Sequence, residues 1–185
     1  MNRMVVFASI ALALTLGTSS AQSPQSYAGM QARAIKALSE QQIADLKAGR
    51  GMGLALAAEL NGYPGPMHVL EHSNALGLSE AQRAKMQEFM AAVKAEAVPL
   101  GEQLIAQEAR LDRQFADKTI TPAGLTAALQ EIASTQAALR AAHLKHHLLA
   151  AELLTPAQLR RYGELRGYAG GDHGQHRPAE QHHRN

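Results

Sequence analysis

The chain of 185 residues contains no Cys and no Trp, and only three Phe and four Tyr. Without Cys there is no disulfide, no thiolate nucleophile and no Cys-based zinc or iron–sulfur site. So few aromatics leave the 46% hydrophobic content to Ala, Leu, Ile, Val and Met, the residues of helices that pack at close range. Charge is nearly balanced, with Lys+Arg 18 against Asp+Glu 16, which removes the basic excess of a nucleic-acid binder. There is no Gly-x-Ser-x-Gly element and no dinucleotide fingerprint. The glycine-rich stretch 49–53 follows no strand and lacks the Lys-Ser/Thr of a phosphate loop. What the chain has in excess is His, nine in all.

Residues 1–21 read as a secretory signal. Arg3 supplies a positive start, 5–17 is apolar, and Ser19-Ser-Ala21 places small residues for a cut after Ala21. The apolar segment falls short of the roughly 20 residues of a membrane span. The expectation is an exported, periplasmic protein with no membrane span after cleavage. Beyond it lie an N-terminal extension (22–63), a main helical unit (64–168) and a tail (169–185).

From about Met30 the pattern is helical, with no run of strict alternation. One short sequence recurs: Leu38-Ser-Glu-Gln-Gln42, Leu78-Ser-Glu-Ala-Gln82 and Leu154-Thr-Pro-Ala-Gln158. Each reads as a capping box, in which the hydroxyl accepts from the N–H three residues on and the Gln reaches back to the cap. Thr121-Pro122 is a fourth helix start. Helices are predicted over 39–48, 52–60, 66–76, 79–116, 121–151 and 155–166, with Pro99 and Gly101 expected to kink or interrupt the first long one. That helix carries a stripe through Met86, Met90, Val93, Ala97, Leu100, Leu104, Gln107 and Leu111. The second long helix carries Leu125, Leu129, Ile132, Gln136, Leu139, His143, His146 and Ala150. Such stripes pack two helices side by side, and the short link 117–120 makes them antiparallel. The predicted fold is therefore all-α: an elongated antiparallel hairpin with short flanking helices. Its second face must be covered by those short helices or by a second chain, and a homodimer is expected.

With this leader, this hairpin and the Leu-[Ser/Thr]-x-x-Gln motifs at Leu78–Gln82 and Leu154–Gln158 bracketing it, the chain resembles the Spy/CpxP superfamily of periplasmic stress proteins, which includes heavy-metal-responsive ZraP- and CnrX-like members. The resemblance covers about 64–168. It implies a non-enzymatic protein: a metal-sensing, metal-buffering or resistance component, or else an ATP-independent chaperone. The implied partners are an envelope sensor or unfolded client proteins.

The histidines fall into three groups. His68 and His72 lie i, i+4 on one short helix, which puts both imidazoles on one face within reach of one ion. CnrX-like sensors similarly carry a His-x-x-x-His pair before their first such motif. Folding back at Gly77 would bring Glu88 near His68 as an oxygen ligand. The bland alternative is a pair of half-exposed surface residues. His68-Val-Leu-Glu71-His72 also matches the His-x-x-Glu-His pattern of inverted zinc proteases, with Glu71 as the base. That chemistry needs a third ligand and a walled cleft, which a thin hairpin scarcely offers. In the second group, His143 and His146 stand on the packing stripe, and His143 and His147 are i, i+4. They are metal ligands, histidines bonded to polar partners such as Gln, or the exposed end of a seam. The third group, His173, His176, His182 and His183, sits in a tail without Leu, Ile, Val, Phe or Met, a composition that stays unpacked and binds metals loosely if at all. Zn, Cu, Ni and Co are the ions such ligands take. Met67, Met86 and Met90 fill the core or, as thioethers, suit Cu(I). Arg160, Arg161 and Arg166 read as a solvated helix face.

Overall fold

The computed structural model of the chain describes residues 27–168. The leader 1–21, with its cut after Ala21, and the tail histidines lie outside the described residues. After a 3-10 turn at Met30–Ala32 come α1 (Glu40–Lys47), α2 (Leu56–Glu59), α3 (Pro66–Glu71), α4 (Glu80–Ala116), α5 (Pro122–Leu153) and α6 (Pro156–Leu165). Among the described residues there is no strand, and no helix is long and apolar enough to cross a membrane. The fold is all-α.

All three capping boxes are present. Ser39, Ser79 and Thr155 each accept from the backbone N–H of Gln42, Gln82 or Gln158, and each Gln side chain accepts from the cap's own N–H. Thr121 caps α5 through the N–H of Gly124, with Pro122 in the first turn. These local bonds satisfy donors that a helix start leaves orphaned, so the starts were readable from five residues at a time.

α4 and α5 form the antiparallel hairpin, and α4 runs through Pro99 without interruption. The expected break is absent because Pro99 lies on the exposed side, where water can satisfy the carbonyl that loses its donor. Gly101 serves another purpose. A Cβ there would stand 2.4 Å from the carbonyl oxygen of Leu46, so its absence is what lets the end of α1 settle on α4. The short helices thus fold back over the hairpin. Leu46 joins Val93, Ala97, Leu104, Ile132 and Leu139 in one core cluster. At the open end of the hairpin a second cluster gathers Val69, Leu76, Leu78, Met86, Ala150, Leu154 and Tyr162. Lys36 fastens the N-terminal segment further along α4, through its backbone N–H and its Nζ to the carboxylate of Asp112 (3.2 and 3.3 Å).

The seam of α5 departs from the expected stripe. Leu129 is 48% exposed and Gln136 is exposed, while Ala128 and Thr135, the latter 4% exposed, face the partner helix instead. Small residues at these positions let the two helix backbones approach closely, and the larger Leu129 is turned out. α2 and α3 are shorter than predicted. Met52 (φ 43) and Gly53 (φ 81) hold the chain out of the right-handed helical region ahead of α2. After Glu71 the backbone leaves α3 through turns that Arg83 secures by donating to Ser73 Oγ (2.6 Å) and Asn74 Oδ1 (3.3 Å).

A histidine and methionine cavity as candidate metal centre

Between the 49–53 loop, the start of α3, the middle of α4 and the C-terminal half of α5 lies a cavity of about 430 Å³. Its lining includes His68, His143 and His147, together with Met52, Met67 and Met90. Capping and packing place these side chains. Pro66 starts α3, setting Met67 and His68 in its first turn, and Met90 and His143 reach the cavity from α4 and α5.

His143 is 7% exposed, and its Nε2 is buried without a hydrogen-bond partner. Burial, followed by the neighbouring His147 and His146, pushes its pKa below the usual imidazole range, so it is neutral at pH 7. Gly51 covers the other edge of the ring: a Cβ there would stand 3.5 Å from Nδ1. His147 donates from Nδ1 to the carbonyl of Tyr63 (2.8 Å). A carbonyl can only accept, so Nδ1 carries a proton and Nε2 is the nitrogen left to meet a ligand. Gly65 makes room for this ring, because a Cβ would meet its Cε1 at 2.9 Å and Nε2 at 3.0 Å. His68 pairs through Nδ1 with Glu71 Oε2 (2.9 Å), and that bond holds the Glu71 carboxyl below its ordinary pKa. A carboxylate or carbonyl on one ring nitrogen is how proteins orient imidazoles that ligate through the other.

The remaining sequence candidates stand elsewhere. His72 is the C-terminal cap of α3, and its ring meets Tyr162 edge-on at 6.5 Å, so it does not share the cavity with His68. Glu88 does not approach His68; it is exposed and paired with Lys85 (2.6 Å), and Glu71 takes the place beside His68. His146 is buried, donates from Nδ1 to the carbonyl of Ala142 (2.8 Å) and packs on Phe89, away from the cavity. Met86 is core, fully buried, whereas Met67 and Met90 line the cavity. His173, His176, His182 and His183 lie outside the described residues. Among the described residues no three His, Asp or Glu side chains already stand within reach of a single ion. The donor set nevertheless fits a metal: imidazoles with pinned or orphaned nitrogens, and thioethers beside them.

One wall of the cavity is a buried carboxylate that sequence reading missed. Glu59 is 6% exposed and accepts at Oε2 from the N–H of Gly65 (3.0 Å) and at Oε1 from the hydroxyls of Tyr162 and Tyr168 (the latter 3.1 Å). Arg166 pairs with it at 3.3 Å, so this arginine belongs to the buried network and not to a solvated face. The Tyr162 hydroxyl, buried against this carboxylate, has its pKa pushed far above the phenol range. A lone acid in the apolar run Leu54-Ala-Leu-Ala-Ala-Glu59-Leu60 was the available signal.

The profile of the heavy-metal resistance family matches residues 51–161, from the glycine loop through most of α6. No curated protein and no solved structure matches the chain. The match spans more than half of the sequence and takes in α2, α3, the whole hairpin and most of the residues that line the cavity. The chain is thus a member of the heavy-metal resistance family, within the Spy/CpxP-like helical proteins.

Proposed function

We propose that the protein is an exported, periplasmic, non-enzymatic stress protein that binds a heavy-metal ion in the cavity beneath α3 and couples metal level to its own shape. One observation carries the reading. His68, His143 and His147 come from two separate helices to line one cavity, two of them with Nδ1 already committed and the third with an orphaned ring nitrogen. Because the side chains stand apart, binding draws α3 and the 49–53 loop toward α5, and that movement is what a sensor or partner reads. The apolar segment 5–17 and the small residues before Gln22 support export.

The test is thermal unfolding with Zn, Cu, Ni or Co. At one hundred times its Kd an ion stabilises by about 2.7 kcal/mol, a rise in Tm of roughly 5–10 °C for a chain of this size. The rise is lost in the His68→Ala/His147→Ala variant, whose metal-free Tm serves as the folding control. No rise for any ion in the unaltered protein discards the reading, as does an equal rise in the variant.

The second reading, an ATP-independent chaperone acting as a homodimer, draws support from apolar side chains left exposed on the hairpin: Phe115 on α4 and Leu129, Leu148 and Leu149 on α5. Suppressed aggregation of an unfolded client with metal chelated is its expected sign. A client that aggregates at its unaided rate counts against it.

A further inference from the structure

Resting on the reading of the cavity as a metal site, we infer that its ion is soft and monovalent, Cu(I) or Ag(I), held by the thioether of Met90 within the cavity and those of Met67 and Met52 at its exposed rim, together with an imidazole of the cavity. Three independent features point there. The first is the donors. Met52, Met67 and Met90 all line the cavity, and thioethers select Cu(I) and Ag(I) over Zn(II), Ni(II) or Co(II).

The second is charge. Glu59 is the one carboxylate among the lining residues, and its oxygens are already taken by Gly65, Tyr162, Tyr168 and Arg166. Lys94, Arg50 and Arg166 also line the cavity. Arg50 is paired with Asp45 (2.6 Å) and Arg166 with Glu59 (3.3 Å), which leaves Lys94 as the lining cation without a carboxylate partner among the described residues, and it repels a dication twice as strongly as a monocation.

The third is backbone. Met52 is held at φ 43 between Gly51 and Gly53, in the left-handed region that a side chain ordinarily avoids. Two glycines adjoin it, yet the position that bears the strain carries a thioether and presents it to the cavity. Strain of this sort persists where surrounding structure holds it, commonly at ligand clamps.

The experiment uses the full chain with His173→Asn, His176→Asn, His182→Asn and His183→Asn, so that the tail contributes no ligands. Ag(I), and Cu(I) in competition with a chromophoric chelator, are titrated alongside Zn(II) and Ni(II). The Met52→Leu/Met67→Leu/Met90→Leu variant keeps side-chain volume and therefore the fold. The expected result is Ag(I) and Cu(I) bound about 100-fold tighter than Zn(II). The expected loss in the Leu variant is about tenfold or more for Ag(I), with Zn(II) binding unchanged. Methyl resonances of Met67 and Met90 should move with Ag(I) and stay in place with Zn(II). Zn(II) or Ni(II) bound more tightly than Ag(I), or Ag(I) affinity untouched by the Leu variant, overturns the thioether site. In that case divalent binding that disappears with His68→Ala/His147→Ala leaves the broader metal reading standing. Binding of no ion at all removes both.

Discussion

Replacing Gln82 by Ala tests whether the repeated five-residue motif is a helix cap or a tertiary clasp. The Gln82 side chain accepts from the N–H of Ser79 (3.1 Å), donates to the carbonyl of Leu153 (3.0 Å) and exchanges two bonds with the amide of Gln158 (2.9 and 3.0 Å). Gln158 in turn donates to the carbonyl of Leu76 (3.3 Å). All four hydrogen-bonding positions of the Gln82 amide are used, and the cross-helix bonds are half-buried, so partners left behind are only partly rescued by water. At about 1 kcal/mol net for each bond, and discounting for partial exposure, Gln82→Ala costs about 2–3 kcal/mol. For a chain of this size that lowers Tm by roughly 5–10 °C. Gln42 is the control, because its box is built the same way but its side chain reaches only the N–H of Ser39 (2.8 Å). Gln42→Ala costs about 1 kcal/mol or less. In urea unfolding, the Gln82→Ala/Gln158→Ala cycle should show a coupling of about 1–2 kcal/mol, since the two amides share bonds. Equal losses for Gln82→Ala and Gln42→Ala, with an additive double variant, would refute the clasp.

Gly101→Ala places a methyl group against the carbonyl of Leu46 and should cost about 1–3 kcal/mol by undocking α1. Hydrogen exchange reads this as lost amide protection across Glu40–Lys47, and unchanged protection would contradict the close approach. Glu59→Gln removes the charge that Arg166, Tyr162 and Tyr168 converge on, and is expected to lower stability by about 2–4 kcal/mol in denaturant melts. A loss within error of zero would mean the network is dispensable. The lowered pKa of His143 gives a signed pH dependence. Above the ordinary imidazole value of 6.5 the ring is neutral folded or unfolded, so it contributes nothing to the slope; below 6.5 the unfolded chain takes up the proton first, and stability falls with pH toward the depressed folded value. His143→Asn should flatten the melting temperature between pH 7.5 and pH 5, relative to the unaltered protein, by about one proton's worth of slope; an unchanged profile would assign the pH dependence to other groups.

Helix starts were legible because their signals are short. Ser39, Ser79 and Thr155 find their partners three residues away, and Thr121-Pro122 acts within one turn. The seam of α5 was legible to within one position: the 3-4 pattern located the packing face but preferred Leu129 and Gln136 to the smaller Ala128 and Thr135. Periodicity counts apolar residues and says little about how closely two backbones approach. In the site, spacing placed His68 with His72 and His143 with His147. The second pair does line the cavity, while of the first only His68 does and His72 packs its ring on Tyr162. Glu59 stayed hidden because its partners, Tyr162, Arg166 and Tyr168, lie about a hundred residues along the chain.

The one-dimensional order of residues settles that this chain is helical, where its helices begin, and that any bound metal meets imidazole, carboxylate or thioether and never thiolate. Each of these follows from neighbours within a turn or from composition. Packing settles the rest: that Gln82 meets Gln158, that α1 lies in the notch at Gly101, and that His68 joins His143, His147, Met67 and Met90 around one cavity while His72, His146 and Glu88 turn elsewhere. Those outcomes depend on which side chains compete for the same space, a contest between segments remote in sequence, which no local pattern records.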